Sequence, residues 1–454
     1  MQTDSSVFHK ALQLSALALG IAGAFAMGSA QASGFQLREN SVKNLGRANA
    51  GTAVASDDAS VVVNNPAAMV NFKETTFQTD VSIINLTAEF DGSATTALGT
   101  PVSGGDGGDP GDPTAVPALA VVMPFDRFTL GASVSAPFGL KTEYEPDWVG
   151  RYNAIESDVK IVDVTLSGAF AVTDRFSLGA SVIYQHADVT LSNAIDFGTA
   201  LCAGSGNPAN CFNPAYPFHP QSADGSVSVS GDDNSFGWIV GAQWRPTDSF
   251  TIGFSHHSEI DHDLVGRADF TTPGSVAAVF GALGVTTFND ADITAPLTTP
   301  AIDTLSARWD INEDFRLMGD IQRTGWHTLE SVNIYRADGS PLGHEAFDWD
   351  DTMYYSIGGE WDMSDTLTFR AGFAIDETPT NDITRSPRLP DNDRTLFSLG
   401  LTWHASDAMS VDAAYQRINI DDPTVNVVSS SGSRLTGEYS GHADLFGVAL
   451  QYRF

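Results

Sequence analysis

The chain has 454 residues, with 56 Asp and Glu against 23 Lys and Arg and a formal charge of −33 at pH 7, although only 17% of its residues are charged. So few cations cannot neutralise a phosphate backbone, which excludes nucleic acid as a partner. The balance suits a surface facing divalent cations, or equally the solubility of any secreted protein.

At the amino end Lys10 precedes the apolar run 11–27, and "SAQA" ends at Ala32. This is a basic n-region, an apolar h-region and a small-x-small cleavage site, so residues 1–32 are predicted to be a signal peptide and Ser33 the first mature residue. Nothing later in the chain resembles that run, and no retained membrane helix is expected. The segment 33–71 that follows lacks strand alternation. It predicts a short helix near 41–50 and a turn at Asn64-Asn65-Pro66, because the residue before proline is pushed out of the helical region. Its Leu37, Leu45 and Val61–Val63 argue for burial.

From residue 72 onward an acidic turn recurs, at Asp126, Asp174, Asp248, Glu313, Asp365 and Asp407. Four residues before each stand Val122, Phe170, Trp244, Trp309, Trp361 and Trp403; two residues after stand Phe128, Phe176, Phe250, Phe315, Leu367 and Met409. The spacings are too irregular for a solenoid or propeller. The flanks alternate with period two, as in Phe176, Leu178, Ala180, Val182 and Tyr184, so the motif is a tight hairpin between strands with one apolar face. A soluble sandwich also alternates, but recurrent Trp at one strand end is the aromatic girdle of an outer-membrane barrel, whose short turns face the periplasm and whose outer loops vary in length. Strands are predicted at 72–90, 115–124, 127–145, 155–173, 175–197, 235–246, 249–268, 297–311, 314–334, 349–362, 366–377, 394–404, 409–421 and 436–454. The fold class is therefore all-β, a 14-stranded antiparallel transmembrane barrel spanning 72–454, with 33–71 as a plug in a lumen too wide for wall side chains to fill. The chain ends on a strand whose Phe446, Val448, Leu450, Tyr452 and Phe454 share one face.

Two long outer loops, about 199–234 and 269–296, carry apolar residues expected to form a binding surface: Phe212, Tyr216 and Phe218 in the first, and Phe280 within "GSVAAVFGALGV" in the second. Packing of the two loops on each other is the alternative. Cys202 and Cys211 in the first loop predict a local disulfide in an oxidising compartment. In "SHHSEIDHD" strand alternation places His256 and His262 on one face and His257, Glu259, Asp261 and Asp263 on the other, so no metal site is expected; no cofactor is implied either.

The stretches "SGFQL", "NLGRANAG", "DDAS", "NPAAM", "PFGLKTEYEPDWVGRY" and "GFAIDETPTNDITRSPRLPDNDR" occur in order along the mature chain. Through them the sequence resembles the FadL family of Gram-negative outer-membrane transporters for long-chain fatty acids, together with its aromatic-hydrocarbon-importing relatives. The resemblance implies a 14-stranded barrel, an amino-terminal hatch signed by Asn65, Pro66 and Ala67, and passive diffusion of a fatty acid, alkane or monoaromatic. It also implies a lateral gate at a kinked third strand, here Pro137, Phe138 and Gly139, and substrate contact by Phe35 and Leu37. Proline removes a ladder donor and glycine weakens a strand, which independently marks this place for a break. The positions matched to basic, carboxylate-binding residues hold His186 and Asn333, with Arg323, Arg316 and Arg336 nearby. That departure leaves neutral substrates open beside fatty acids. Expected partners are outer-membrane lipid and lipopolysaccharide, and the barrel-assembly machinery through Phe454; the protein is expected to be a monomer and not an enzyme. A general diffusion porin is the alternative function. An outer-membrane lipid hydrolase would need a Ser-His pair with an orienting partner, which the sequence does not present.

Overall fold

Period-two alternation decides which way each strand faces, and here apolar residues point out and polar residues point in. The computed structural model describes residues 34–454; the predicted signal segment and its cleavage site lie outside them. Fourteen antiparallel strands form one closed barrel: β1 (Thr76–Thr95), β2 (Thr114–Phe125), β3 (Phe128–Glu143), β4 (Glu156–Thr173), β5 (Phe176–Asp196), β6 (Asp224–Thr247), β7 (Phe250–His257 with Ile260–Thr271), β8 (Ala291–Thr299 with Ile302–Asp310), β9 (Phe315–Thr324 with Ser331–Arg336), β10 (Pro341–Ala346 with Thr352–Ser364), β11 (Leu367–Asp376), β12 (Arg394–Ser406), β13 (Met409–Ile420 with Thr424–Val428) and β14 (Arg434–Arg453). The ring closes between β1 and β14, from Thr76 opposite Arg453 to Thr95 opposite Arg434. Phe454 adds a last hydrogen bond, its N–H donating to the Thr75 carbonyl at 2.9 Å.

On β1, Gln78, Asp80 and Ser82 are buried inside while Val81 and Ile83 are exposed outside. Trp244, Trp309, Trp361 and Trp403 all stand exposed on the outer surface beside the short turns, as a girdle requires. Val122, matched to them by spacing, is the exception and faces inward, fully buried. Register shifts sit just before four of these turns, at Ala171/Thr173, Trp244/Thr247, Asp362/Ser364 and His404/Ser406. Such bulges increase local twist where the hairpin must reverse.

Three differences from the sequence reading have simple causes. β6 begins at Asp224, not 235, because its first half holds only Val227 and Val229 among polar residues and glycines, too short an apolar alternation to mark a strand. The helix expected near 41–50 is only one turn, α1 (Val42–Leu45), since Ala48 and Asn49 adopt left-handed φ of 51° and 53°. In β7 the two-residue interruption at 258–259 flips the parity. His262 is therefore buried inside against Asp233 and Gln185, while His256 pairs with Asp303 on the opposite face, correcting their predicted common orientation. No group of metal-ligating side chains occurs among the described residues.

Beyond the wall, the outer loops contain α3 (Phe197–Ala203) and α4 (Gly274–Leu283), with α2 (Val61–Asn64) in the amino-terminal segment. Cys202 and Cys211 form a disulfide, as expected.

Candidate functional site: the interior segment, the wall gap and the outer cavity

Residues 34–72 are almost wholly buried and pack against strands all around the ring, from β1 to β14. Their local shape follows from capping. Ser41 caps α1 by accepting the Asn44 N–H at 3.2 Å, and Asn65 caps the 3-10 turn Pro66–Asn71 by accepting the Ala67 N–H at 3.1 Å. The Asn65 amide also donates to the Ala53 carbonyl at 2.7 Å, tying two turns of the segment together. The wall makes room with glycine: a Cβ on Gly241 would stand 2.0 Å from Asn65 Oδ1, and one on Gly179 2.4 Å from the Ala67 nitrogen.

Charge fixes the segment to the polar lumen. Arg47, fully buried, reaches Glu360 Oε1 at 2.6 Å, and Glu360 also meets Arg370 at 2.7 Å and Arg316 at 2.9 Å. Arg38 pairs with Asp376 at 3.0 Å and lies over the Tyr354 ring at 4.1 Å. Burial raises the Glu39 carboxyl above its usual range despite the nearby Arg38 and Arg394 guanidiniums.

The wall itself is incomplete at one place. β2 and β3 pair from Phe125–Phe128 only as far as Leu119–Val134, and β3 shifts register against β4 between Ser135 and Phe138. Pro137 lies within that shift and cannot donate to a ladder. Beyond Val134 the β2-side edge of β3 is instead taken by the interior segment. Leu37 N–H donates to the Pro137 carbonyl at 2.7 Å, Gly139 N–H donates to the Phe35 carbonyl at 2.8 Å, and Gln36 faces Phe138 as an isolated antiparallel pair. This is strand addition to an exposed edge, supplied by the chain's own interior. Phe35, next to that pair, sits in a knot of rings: 4.9 Å from Trp326, 5.8 Å from Phe138 and 5.9 Å from Trp349, centroid to centroid. Trp326 reaches it because Gly325 and the 3-10 turn Trp326–Thr328 interrupt β9 and turn the chain inward.

The knot belongs to an apolar cluster that continues outward through Val229, Phe270, Ile334 and Leu342. These four residues, with Phe197 and Phe288, line an open cavity of about 980 Å³ between the outer loops. Three arginines border it. Arg336 donates to the Thr287 and Pro341 carbonyls and Arg434 to the Asn426 side chain, while Arg388 meets Glu345 at 3.2 Å. Burial and the Asp196 and Asp224 carboxylates push the Tyr152 hydroxyl at the cavity rim well above its ordinary pKa.

The family description "Outer membrane protein transport protein (OMPP1/FadL/TodX)" matches residues 23–454. The chain belongs to this family. It is 30% identical to Outer membrane protein P1 of Haemophilus influenzae, over 96% of this chain and 98% of that protein. It is 26% identical to a long-chain fatty acid transport protein of Escherichia coli, again over 96% and 98%. The crystal structure of a Pseudomonas aeruginosa FadL homologue superposes with a TM-score of 0.85 at 28% identity, covering 92% of this chain and 99% of that one. A Pseudomonas putida toluene transporter, TodX, shares the fold with a TM-score of 0.65 at 17% identity, covering 92% and 99%. This protein is thus an outer-membrane barrel of the FadL/TodX type of hydrophobic-compound transporter, and the members named here are transporters rather than enzymes.

Within that FadL-type barrel the residues singled out from sequence fall into two groups. Phe35, Leu37, Pro137, Phe138 and Gly139 come together at the wall gap, with Asn65, Pro66 and Ala67 seated deeper against β5 and β6. The expected carboxylate-binding positions do not converge inside. His186 shares the outward face of β5 with Tyr184 and bonds Asn234 at 3.0 Å. Arg323 is outward on β9 and paired with Asp351 at 2.5 Å. Asn333 sits on the face opposite buried Ile334 and accepts from His344 at 2.8 Å. All three corrections follow from strand parity. Phe212 is exposed, whereas Phe218 and Phe280 join the packing between the two loops, with Phe280 5.4 Å from Phe197. Phe197, Phe270, Phe288, Trp326, Trp349 and Arg388 were not found from sequence. A usable signal existed for Trp326 and Trp349, since neither lies at the four-residue spacing of the girdle.

Proposed function

We propose that the protein imports long-chain fatty acids or comparable hydrophobic compounds by passive diffusion and releases them sideways into the membrane. The outer cavity captures the apolar chain between Phe197, Phe270 and Phe288, and a carboxylate, where the substrate has one, meets Arg336, Arg434 or Arg388. The first two of these spend their hydrogen bonds on neutral oxygens rather than on a carboxylate. The substrate then passes along the apolar cluster to Phe35 and leaves between β2 and β3, with residues 33–71 as the hatch and Pro137-Phe138-Gly139 as the gate. Diffusion down a gradient needs no cofactor. The barrel works as a monomer, inserted by the assembly machinery through Phe454 among outer-membrane lipid and lipopolysaccharide.

The observation that carries this reading is the gap in the wall, stoppered by two hydrogen bonds from the hatch tip. Gln36 and Phe138 face each other as a non-hydrogen-bonded antiparallel pair, whose Cα separation of roughly 4.5 Å suits a disulfide. The double variant Gln36→Cys/Phe138→Cys is therefore expected to lose oleate and alkane uptake when oxidised and regain it on reduction, in a host lacking its own transporter. Uptake at the wild-type rate while the bond is intact refutes the lateral route.

A further inference from the structure

Trp326 is completely buried, and its indole N–H has no acceptor among the described residues. Six of the twelve other unpartnered buried atoms of the described residues are hydroxyls that can rotate toward a neighbour, such as Ser82, Ser133 and Thr165, and the rest belong to amide, carboxylate or guanidinium groups that have a second polar atom to bond through. An indole N–H is fixed to its ring, and this ring is locked by Phe35, Phe138 and Trp349 at 4.9, 5.9 and 5.0 Å. A buried donor left without an acceptor is costly, so a position that keeps one points to a partner that comes and goes.

The surroundings say where that partner arrives. The Trp326 atoms Cζ2 and Cε2, on the nitrogen-bearing side of the indole, lie 2.9 and 3.1 Å from where a Cβ on Gly34 would stand. The side chain is therefore covered by the hatch tip, which is held by the two backbone bonds to β3 and by Gly34 N–H donating to Asp391 at 3.0 Å. Withdrawal of the tip uncovers a fixed donor within an apolar cluster.

We infer that Trp326 is a specificity-determining residue of the transport path, its indole N–H donating to an acceptor oxygen on the substrate when the hatch tip moves aside. The site favours amphiphiles with a carboxylate, hydroxyl or carbonyl oxygen over pure hydrocarbons of the same length. A site that offers a buried donor penalises a ligand that cannot accept from it. This inference rests on the uptake reading above.

The test compares matched ligands, hexadecanoate and 1-hexadecanol against hexadecane, in wild type and Trp326→Phe, after heat-modifiable gel migration shows that the variant barrel is folded. Substitution is expected to weaken uptake of the two oxygen-bearing ligands by roughly three- to tenfold more than that of hexadecane, the worth of one hydrogen bond. An equal loss for all three ligands, or no loss for any, overturns the inference, the first because it marks a packing role alone. If wild type takes up none of them, it is the uptake reading that fails.

Discussion

At the scale of single residues, the interior segment 34–72 is held by charge in a place where charge is expensive. Glu360 pairs with three guanidiniums, Arg47, Arg316 and Arg370, which Asp57, Asp362 and Asp412 help to balance, and only Arg47 comes from the interior segment. Removing one partner of a buried ion pair strands the others, at a cost of about 3–5 kcal/mol. Glu360→Ala is expected to lower unfolding stability by that order, read as an earlier urea transition of the detergent-solubilised barrel; a shift below about 1 kcal/mol would mean that water screens the cluster. At this scale the sequence misled where resemblance was preferred to counting. His186 lies two residues beyond Tyr184 and four beyond Val182, so period-two alternation already put it on the lipid side. Arg323 follows Ile321 in the same way.

At the scale of elements, the interior segment and the wall fit together through small residues. Gly179 and Gly241, on neighbouring strands, leave the hollow that receives Asn65-Pro66-Ala67. Their side faces the lumen, so a bulky residue there meets the hatch without touching the barrel's own ladder. Gly241→Leu is expected to yield a barrel that still migrates as folded but whose residues 34–72 are cut by trypsin far faster than in wild type. Wild-type resistance would show that the seat adapts. The strands themselves were legible because a lipid-facing wall imposes apolar alternation on every one of them. Their interruptions were not: the breaks in β7 and β8 are two residues each and those in β9 and β10 six and five, and after the first two the inward-facing residues change from odd to even numbers. The aromatic knot depends on such a break at Gly325, so Trp326 could be seen as unusual in the sequence but not assigned to the interior.

For the whole molecule, the lumen is the question that decides between a transporter for greasy solutes and a general porin. Residues 34–72 are almost wholly buried, from Phe35 to Phe72. Wild-type protein in planar bilayers is expected to show little steady ion conductance, and deletion of residues 34–71 to raise it by at least tenfold. A large steady conductance in wild type favours the porin instead. The ring is also unequal around its circumference. β1 and β14 are joined through twenty facing residue pairs, whereas β2 and β3 share seven before the hatch tip takes over. Backbone hydrogens in the long seam exchange with solvent deuterium only when the barrel comes apart, but those of Leu37 and Gly139 need only the tip to lift. Their exchange half-lives, set against those of the β1–β14 seam, form a clock for the opening of the wall that needs no substrate at all.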